Sequence, residues 1–179
     1  APHRVSFSDP TPPPASSTER QRYESQIRGL DAELERVLEA LGPQALIFVT
    51  ADNGTPQGVA PDPARAKLSV YQRGIRVPLI VRGPGVTPGP VSDPVALYDI
   101  LPTLADGYGV NHAHIDGESF LGHLVPYVTP PTRGWVHAEN PTQGTRAIIE
   151  ERWKLIEEAD GTRLLFDLQS DPDEMAPLP

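Results

Sequence analysis

Cysteine is absent from all 179 residues, which removes disulfides, thiolate nucleophiles and cysteine-ligated zinc together. A chain without cysteine suits any redox compartment, so localisation stays open. No apolar run approaches the roughly 18 residues of a membrane-spanning helix. The first residues, Ala1-Pro2-His3-Arg4, lack the basic-then-apolar layout of a secretory leader. Cationic charge is also scarce, with 15 Lys and Arg against 24 Asp and Glu and a net charge of −9. No basic stripe is therefore available to track a phosphate backbone, and nucleic acid is not an expected partner.

What is present is enough for a core, since 38% of the residues are hydrophobic. Proline (22) and glycine (15) are abundant. They group between apolar runs without an internal repeat, a pattern of many loops rather than disorder. The stretch up to about Ser17, with Asp9-Pro10-Thr11-Pro12-Pro13-Pro14, reads as extended loop because each proline disfavours helix in itself and in the residue before it.

From Thr18 to Leu41 the apolar residues Tyr23, Ile27, Leu30, Leu34, Val37, Leu38 and Leu41 recur at helical spacing, and Gly42-Pro43 stops the pattern. Ala45–Ala51 (ALIFVTA) and Val77–Arg82 (VPLIVR) are short apolar runs that read as strands buried on both faces, with Pro78 placing the second towards an edge or a strand start. A helix followed by a buried strand points to a parallel α/β sheet. Pro94 to about Gly109 reads as a helix capped by Ser92 or Asp93, with a kink or restart near Leu101 imposed by Pro102. Beyond Gly117 the pattern changes to short strands at Trp135–Glu139, Thr145–Glu150, Trp153–Glu157 and Leu164–Leu168, separated by turn residues such as Asp160-Gly161. The expected organisation is an α/β part over residues 1–117 and a small antiparallel subdomain over 118–179.

The most informative segment is Thr50-Ala51-Asp52-Asn53-Gly54, because ligands of α/β sheets bind at the carboxyl ends of strands. A carboxylate beside an amide carbonyl offers two hard oxygens, suited to Ca²⁺ or Mg²⁺. The competing reading is a turn, for which Asn-Gly is a favoured dipeptide. Lys67, fourteen residues after Asn53, is either a point charge for an oxyanion or an ordinary solvated lysine. His3, in a proline-flanked loop, is either a hydrogen-bond donor or general acid, or simply exposed. His112-x-His114 lacks a third ligand nearby in sequence and is assigned to structure or solvent.

Taken together, these segments resemble the sulfatase family of the alkaline phosphatase superfamily. Asp52-Asn53-Gly54, then Lys67 four residues before Tyr71, then Gly74-Ile75-Arg76-Val77-Pro78-Leu79-Ile80, is similar to that family's DNG, lysine and Y-E-G-G-I-R-V-P-L pattern. Pro2-His3 resembles its P-H-x-P loop, and Ile27-x-x-Leu30-Asp31 with Arg36-Val37-Leu38 the helix before the DNG strand. Asp99-Ile100-Leu101-Pro102-Thr103-Leu104 resembles D-L-x-P-T-L, with Asp116-Gly117-x-Ser119 following in place. Leu165-Phe166-Asp167-Leu168 with Asp171-Pro172-x-Glu174 resembles the closing L-Y-D-L-x-x-D-P-x-E.

The resemblance implies an alkaline-phosphatase-like, mostly parallel sheet with helices, followed by the small antiparallel subdomain. It makes Asp52 and Asn53 ligands of one Ca²⁺ or Mg²⁺, Lys67 a contact to sulfate oxygens, and His3 a sulfate or leaving-group partner. The implied activity is hydrolysis of a sulfate ester. The alternatives are a phosphate or phosphonate ester hydrolase of the same superfamily and an inactive sulfatase-like binding module. Asn53 favours the sulfatase, because phosphatase-type members tend to place there a histidine that ligates a second metal.

Two departures stand out. Arg73 occupies a position where the family has glycine. The family's paired aspartates and its C/S-x-P-S-R nucleophile motif belong to an N-terminal half not found in these residues. Thr129-Pro130-Pro131-Thr132-Arg133, the nearest spacing match, is read as coincidence. The metal site is therefore expected to be incomplete here, and the chain to be inactive alone. Its strands are expected to seek cover by self-association or by pairing with the N-terminal portion.

Overall fold

Residues 14, 16–131 and 133–179 are described by a computed structural model; His3 and most of the proline-rich opening lie outside them. The long helix α1, Glu19–Leu41, starts where its capping chemistry dictates. The Thr18 hydroxyl accepts from the Gln21 N–H at 3.2 Å, and the Gln21 side chain accepts from the Thr18 N–H at 2.9 Å, so two otherwise orphaned donors are satisfied reciprocally. Gly42 ends the helix at φ 71°, a conformation open to a residue without Cβ. The expected apolar stripe is only partly covered by the described residues: Tyr23, Leu34 and Leu38 are half-buried, Ile27, Leu30, Val37 and Leu41 are 47–53% exposed, and Ser25 and Gly29 are the buried positions of α1.

Strand β1 (Ile47–Thr50) pairs with β2 (Leu79–Arg82) antiparallel, Thr50 opposite Leu79 and Ile47 opposite Arg82. This corrects the parallel arrangement expected for these two strands. The intervening loop leaves and returns at one end of the pair, so β2 begins where β1 stops. The strands are also less buried than their composition suggests, β1 being half-buried over Ile47–Val49 and Ile80 60% exposed.

The helix expected from Pro94 is shorter than its pattern. Extended chain runs to Ala96, a 3₁₀ turn covers Leu97–Asp99, and α3 spans Ile100–Gly107. Ser92 and Asp93 therefore do not cap it. Pro102 lies in the first turn of α3, where its missing N–H costs no helical hydrogen bond; the restart falls at Ile100. The buried Asp99 carboxylate accepts from the N–H groups of Ala96 (2.8 Å) and Glu118 (2.9 Å) and from the Arg133 guanidinium. The Thr103 hydroxyl donates to the Asp99 carbonyl at 2.7 Å and accepts from the Phe120 N–H at 3.0 Å. Gly117, at φ 100°, passes so close that a Cβ there would lie 2.5 Å from the Tyr98 carbonyl. The two motifs around Asp99 and Gly117 are thus one clasp that leads into α4, Leu121–Leu124.

The C-terminal part is a four-stranded antiparallel meander, β3 (Trp135–Asn140), β4 (Thr145–Glu150), β5 (Trp153–Glu157) and β6 (Arg163–Asp167), in chain order. Period-two patterning sends Ala147, Ile149, Ile156 and Phe166 to one face, where they form a core with Val70 from the preceding loop. Tyr71 meets Phe166 edge-to-face at 6.1 Å.

At the end of β6, Asp167 receives the Arg152 guanidinium through two bonds of 3.0 and 2.9 Å. That pairing holds its carboxyl at about 2, below the usual aspartate range. A depressed carboxyl pKa stabilises the fold above the unfolded value near ~4 and loses that stabilisation as pH falls through the folded value. The urea midpoint is accordingly expected to drop between about pH 4 and pH 2, and to drop less in Asp167→Asn. Equal acid sensitivity of the two proteins would overturn this assignment.

Candidate functional site

The loop that leaves β1 carries Asp52 and Asn53 at the strand's carboxyl end. The Asn53 side-chain amide donates to a carboxylate oxygen of Asp52, so the two side chains lie against each other. Asp52 is exposed and Asn53 half-buried. The hairpin-turn reading of Asn53-Gly54 does not hold: the partner strand begins only at Leu79, and Gly54 does not take the positive φ of a type I′ turn. Gly54 is required for another reason. A Cβ on it would lie 2.2 Å from the Arg73 carbonyl oxygen, and no Cβ tolerates that approach.

This closeness comes from backbone stitching. The Gly54 N–H donates to the Gly74 carbonyl at 2.9 Å and the Thr55 N–H to the Arg73 carbonyl at 2.7 Å. The Lys67 N–H donates to the Thr55 carbonyl at 2.9 Å. The structure thereby gathers three segments separated in sequence: the strand-end loop, the Lys67 loop and the short helix α2 (Gln72–Ile75). Gly74 is buried, and a Cβ on it would lie 2.4–2.5 Å from the carbonyls of Ser69 and Ala66.

Lys67 is half-buried. Its neighbour Leu68 adopts φ 76°, a left-handed conformation that costs a non-glycine residue about 1–3 kcal/mol. The Leu68 carbonyl accepts from the Asn140 side chain at 2.6 Å, so the end of β3 helps to hold that conformation beside Lys67.

Arg73 spends its charge elsewhere. Its guanidinium lies 2.7–2.9 Å from Asp173 in the C-terminal tail, with both side chains about half exposed. The bond to Thr55 uses only the Arg73 backbone carbonyl, so the substitution leaves the stitching intact. His112 pairs with Asp106 at 2.7 Å and His114 is exposed, in keeping with their structural assignment. Arg133 belongs to the Asp99 clasp.

Asp52 and Asn53 fit a hard cation by donor chemistry but supply at most three side-chain oxygens, where Ca²⁺ takes 6–8. Among the described residues no group of three or more His, Cys, Asp or Glu side chains is placed to hold a metal. A separate open cleft of about 870 Å³ between α2, the 91–98 segment and the sheet includes none of Asp52, Asn53 or Lys67.

Sequence reasoning missed a buried ion pair next to the site, Lys154 to Glu174 at 2.6 Å. The signal was available: Lys154 shares the inward face of β5 with Ile156, and a lysine there needs a counter-ion.

Comparison with known proteins places residues 1–110 on the family model described as Sulfatase. Choline-sulfatase of Rhizobium meliloti (strain 1021) is 31% identical over 173 residues, which are 89% of this chain and 33% of that protein. The chain therefore spans about a third of that relative's length. A 2-O GAG sulfatase, BT1596, superposes with a TM-score of 0.75 at 23% identity, covering 88% of this chain and 38% of its own. The phosphonate monoester hydrolase of Agrobacterium radiobacter superposes at 0.72 and 24% identity, covering 88% and 36%. Both structural likenesses speak to fold alone.

Gly74 offers a direct check of the stitching. Gly74→Ala is expected to destabilise the chain by about 1–3 kcal/mol, because the added methyl must push back two carbonyls. Chemical denaturation measures it, and a change below ~0.5 kcal/mol would show that the loop tolerates the methyl.

Proposed function

The chain belongs to the sulfatase family, and on that premise we propose that it carries part of the site of a sulfuric ester hydrolase. In this reading Asp52 and Asn53 supply two of the oxygens that hold one Ca²⁺ or Mg²⁺, and Lys67 contacts the oxygens of the sulfate group. His3, outside the described residues, takes the role of a sulfate or leaving-group partner. The observation that carries the reading is the bond from the Lys67 N–H to the Thr55 carbonyl, which ties a cationic loop to the loop bearing two hard oxygen donors.

The chemistry is coherent. A hard cation, when bound, would supply Lewis-acid stabilisation of charge on the sulfate oxygens. Lys67 would add a fixed positive charge to the same group, and stitched loops would limit reorganisation as charge develops. The nucleophile is not among these residues, which hold neither cysteine nor an S-x-P-x-R sequence.

A second reading, hydrolysis of a phosphonate or phosphate ester, draws on the shared fold of the Agrobacterium radiobacter enzyme. The amide at Asn53 weighs against it, since an amide oxygen suits one hard cation better than the second metal of phosphatase-type members. Combined with the remainder of a sulfatase fold, the chain is expected to hydrolyse aryl sulfates faster than the matching phosphonates. Asp52→Ala and Lys67→Ala should each lower kcat by about 10²–10³-fold. The 179-residue chain alone should show no turnover. Hydrolysis by the isolated chain that disappears on mutating Asp52, or a preference for phosphonates, would defeat the proposal.

The same reading gives the exposed apolar stripe of α1 and the half-covered β1–β2 pair a purpose as the surface on which the remaining sulfatase fold, or a second copy, packs. Light scattering at about 100 μM is expected to detect self-association of the isolated chain. A monomer that binds no dye for exposed apolar surface would show that these residues close their own core.

A further inference from the structure

Glu174 is fully buried and holds φ 56°, two unusual conditions for one glutamate. Its carboxylate meets the Lys154 ammonium at 2.6 Å through one oxygen and accepts the Gln72 N–H through the other. Its backbone carbonyl accepts from the Arg65 guanidinium. One residue of the tail therefore grips the chain on both sides of Lys67, two positions before it and five after it. The stretch so held supplies the Gly74 and Arg73 carbonyls that fix Gly54 and Thr55, and the Lys67 N–H returns to Thr55.

The turn presenting Glu174 is preset by Asp171. Its two carboxylate oxygens accept the N–H groups of Met175 (2.9 Å) and Ala176 (2.8 Å).

We propose that Glu174, balanced by Lys154, is a positioning residue: through residues 65–74 the C-terminal tail sets where Lys67 stands relative to Asp52 and Asn53. This rests on the assignment of those three residues to the sulfate and metal site. Burial obliges the second oxygen and the carbonyl to find donors, and the ones they take, the Gln72 N–H and the Arg65 guanidinium, flank Lys67 on one stretch of chain. Both bonds face the Lys67 loop.

The test is residue-resolved backbone amide exchange, by nuclear magnetic resonance, on the 179-residue chain. In Lys154→Met/Glu174→Leu, both buried charges go and the acceptor for Gln72 goes with them. Exchange at Gly54, Thr55 and Lys67 should accelerate at least about tenfold while the amides of central strand β4 stay within about twofold. In Lys154→Met/Glu174→Gln the amide oxygen still accepts from Gln72, and all of these amides should exchange as in the parent. Should the leucine variant fail to fold, Asp171→Ala loosens the same turn without touching the buried pair, and the same three amides should quicken selectively.

Equal acceleration of β4 and the site amides would reduce Glu174 to a core residue. So would unchanged site amides, or equal behaviour of the leucine and glutamine variants. The measurement needs neither metal nor substrate. A failed sulfatase assay with selective exchange would thus fault the functional assignment, and a normal assay without selective exchange would fault the positioning role.

Discussion

Everything the candidate site can do depends on two backbone hydrogen bonds, from Gly54 to the Gly74 carbonyl and from Thr55 to the Arg73 carbonyl. They close a long excursion between β1 and β2 and oblige the second strand to run back against the first. Neither bond reads a side chain, yet both depend on side chains being absent: a Cβ at Gly54 would overlap the two carbonyls that make the contact, and one at Gly74 would overlap the Ser69 and Ala66 carbonyls behind it. The glycines are therefore a consequence of close approach rather than of special φ. Asp52 and Asn53 inherit their place from that approach, and Lys67 is brought to it by the next hydrogen bond along.

The same loop joins the two kinds of architecture in the chain. Val70 is buried among Ala147, Ile149, Ile156 and Phe166 of the meander, and the Asn140 side chain fixes the strained Leu68 carbonyl. The meander thus forms the floor on which the Lys67 loop rests. The opposite end of the fold is unlike it, since four residues of the α1 stripe and Ile80 of β2 are exposed and β1 is only half-buried. An amphipathic helix whose apolar face meets water gains little from burial. Its capping box and closing glycine fix the ends of α1, and its packing falls on the face that carries the buried Ser25 and Gly29.

Legibility in the sequence followed the range of the interactions. The span of α1 from about Thr18 to its glycine stop and the four meander strands depend on residues a few positions apart, and all stand in the structure within a residue or two of where the pattern places them; the capping box at Thr18 was not read from the pattern. The site residues Asp52, Asn53 and Lys67 were visible as a motif, but their adjacency was not, because it is made by carbonyls that any residue carries. The antiparallel pairing of β1 with β2 was hidden for the same reason. Helix α3 was misjudged because apolar spacing from Pro94 to Gly109 reports a helical period without saying where the helix starts; the buried Asp99 clasp sets that start.

The pair Lys154–Glu174 was the least legible feature, and its energetics explain why it matters for geometry more than for stability. Burial pushes the Lys154 ammonium down from the usual lysine range, while Glu174 pulls it back up. A pair of this kind contributes little net stability over apolar residues of similar volume, because desolvation consumes most of the Coulomb gain. Breaking it by removing one partner is costly, since the other charge is left buried alone. The combination makes a poor source of stability and a strong constraint on register: the tail can close in one alignment, the one that puts Glu174 against Lys154. The Asp171 turn and the Arg73–Asp173 pair on either side lower the entropy of reaching that alignment. The end of the chain is in this way committed to the same few ångströms of space as the loop that follows β1.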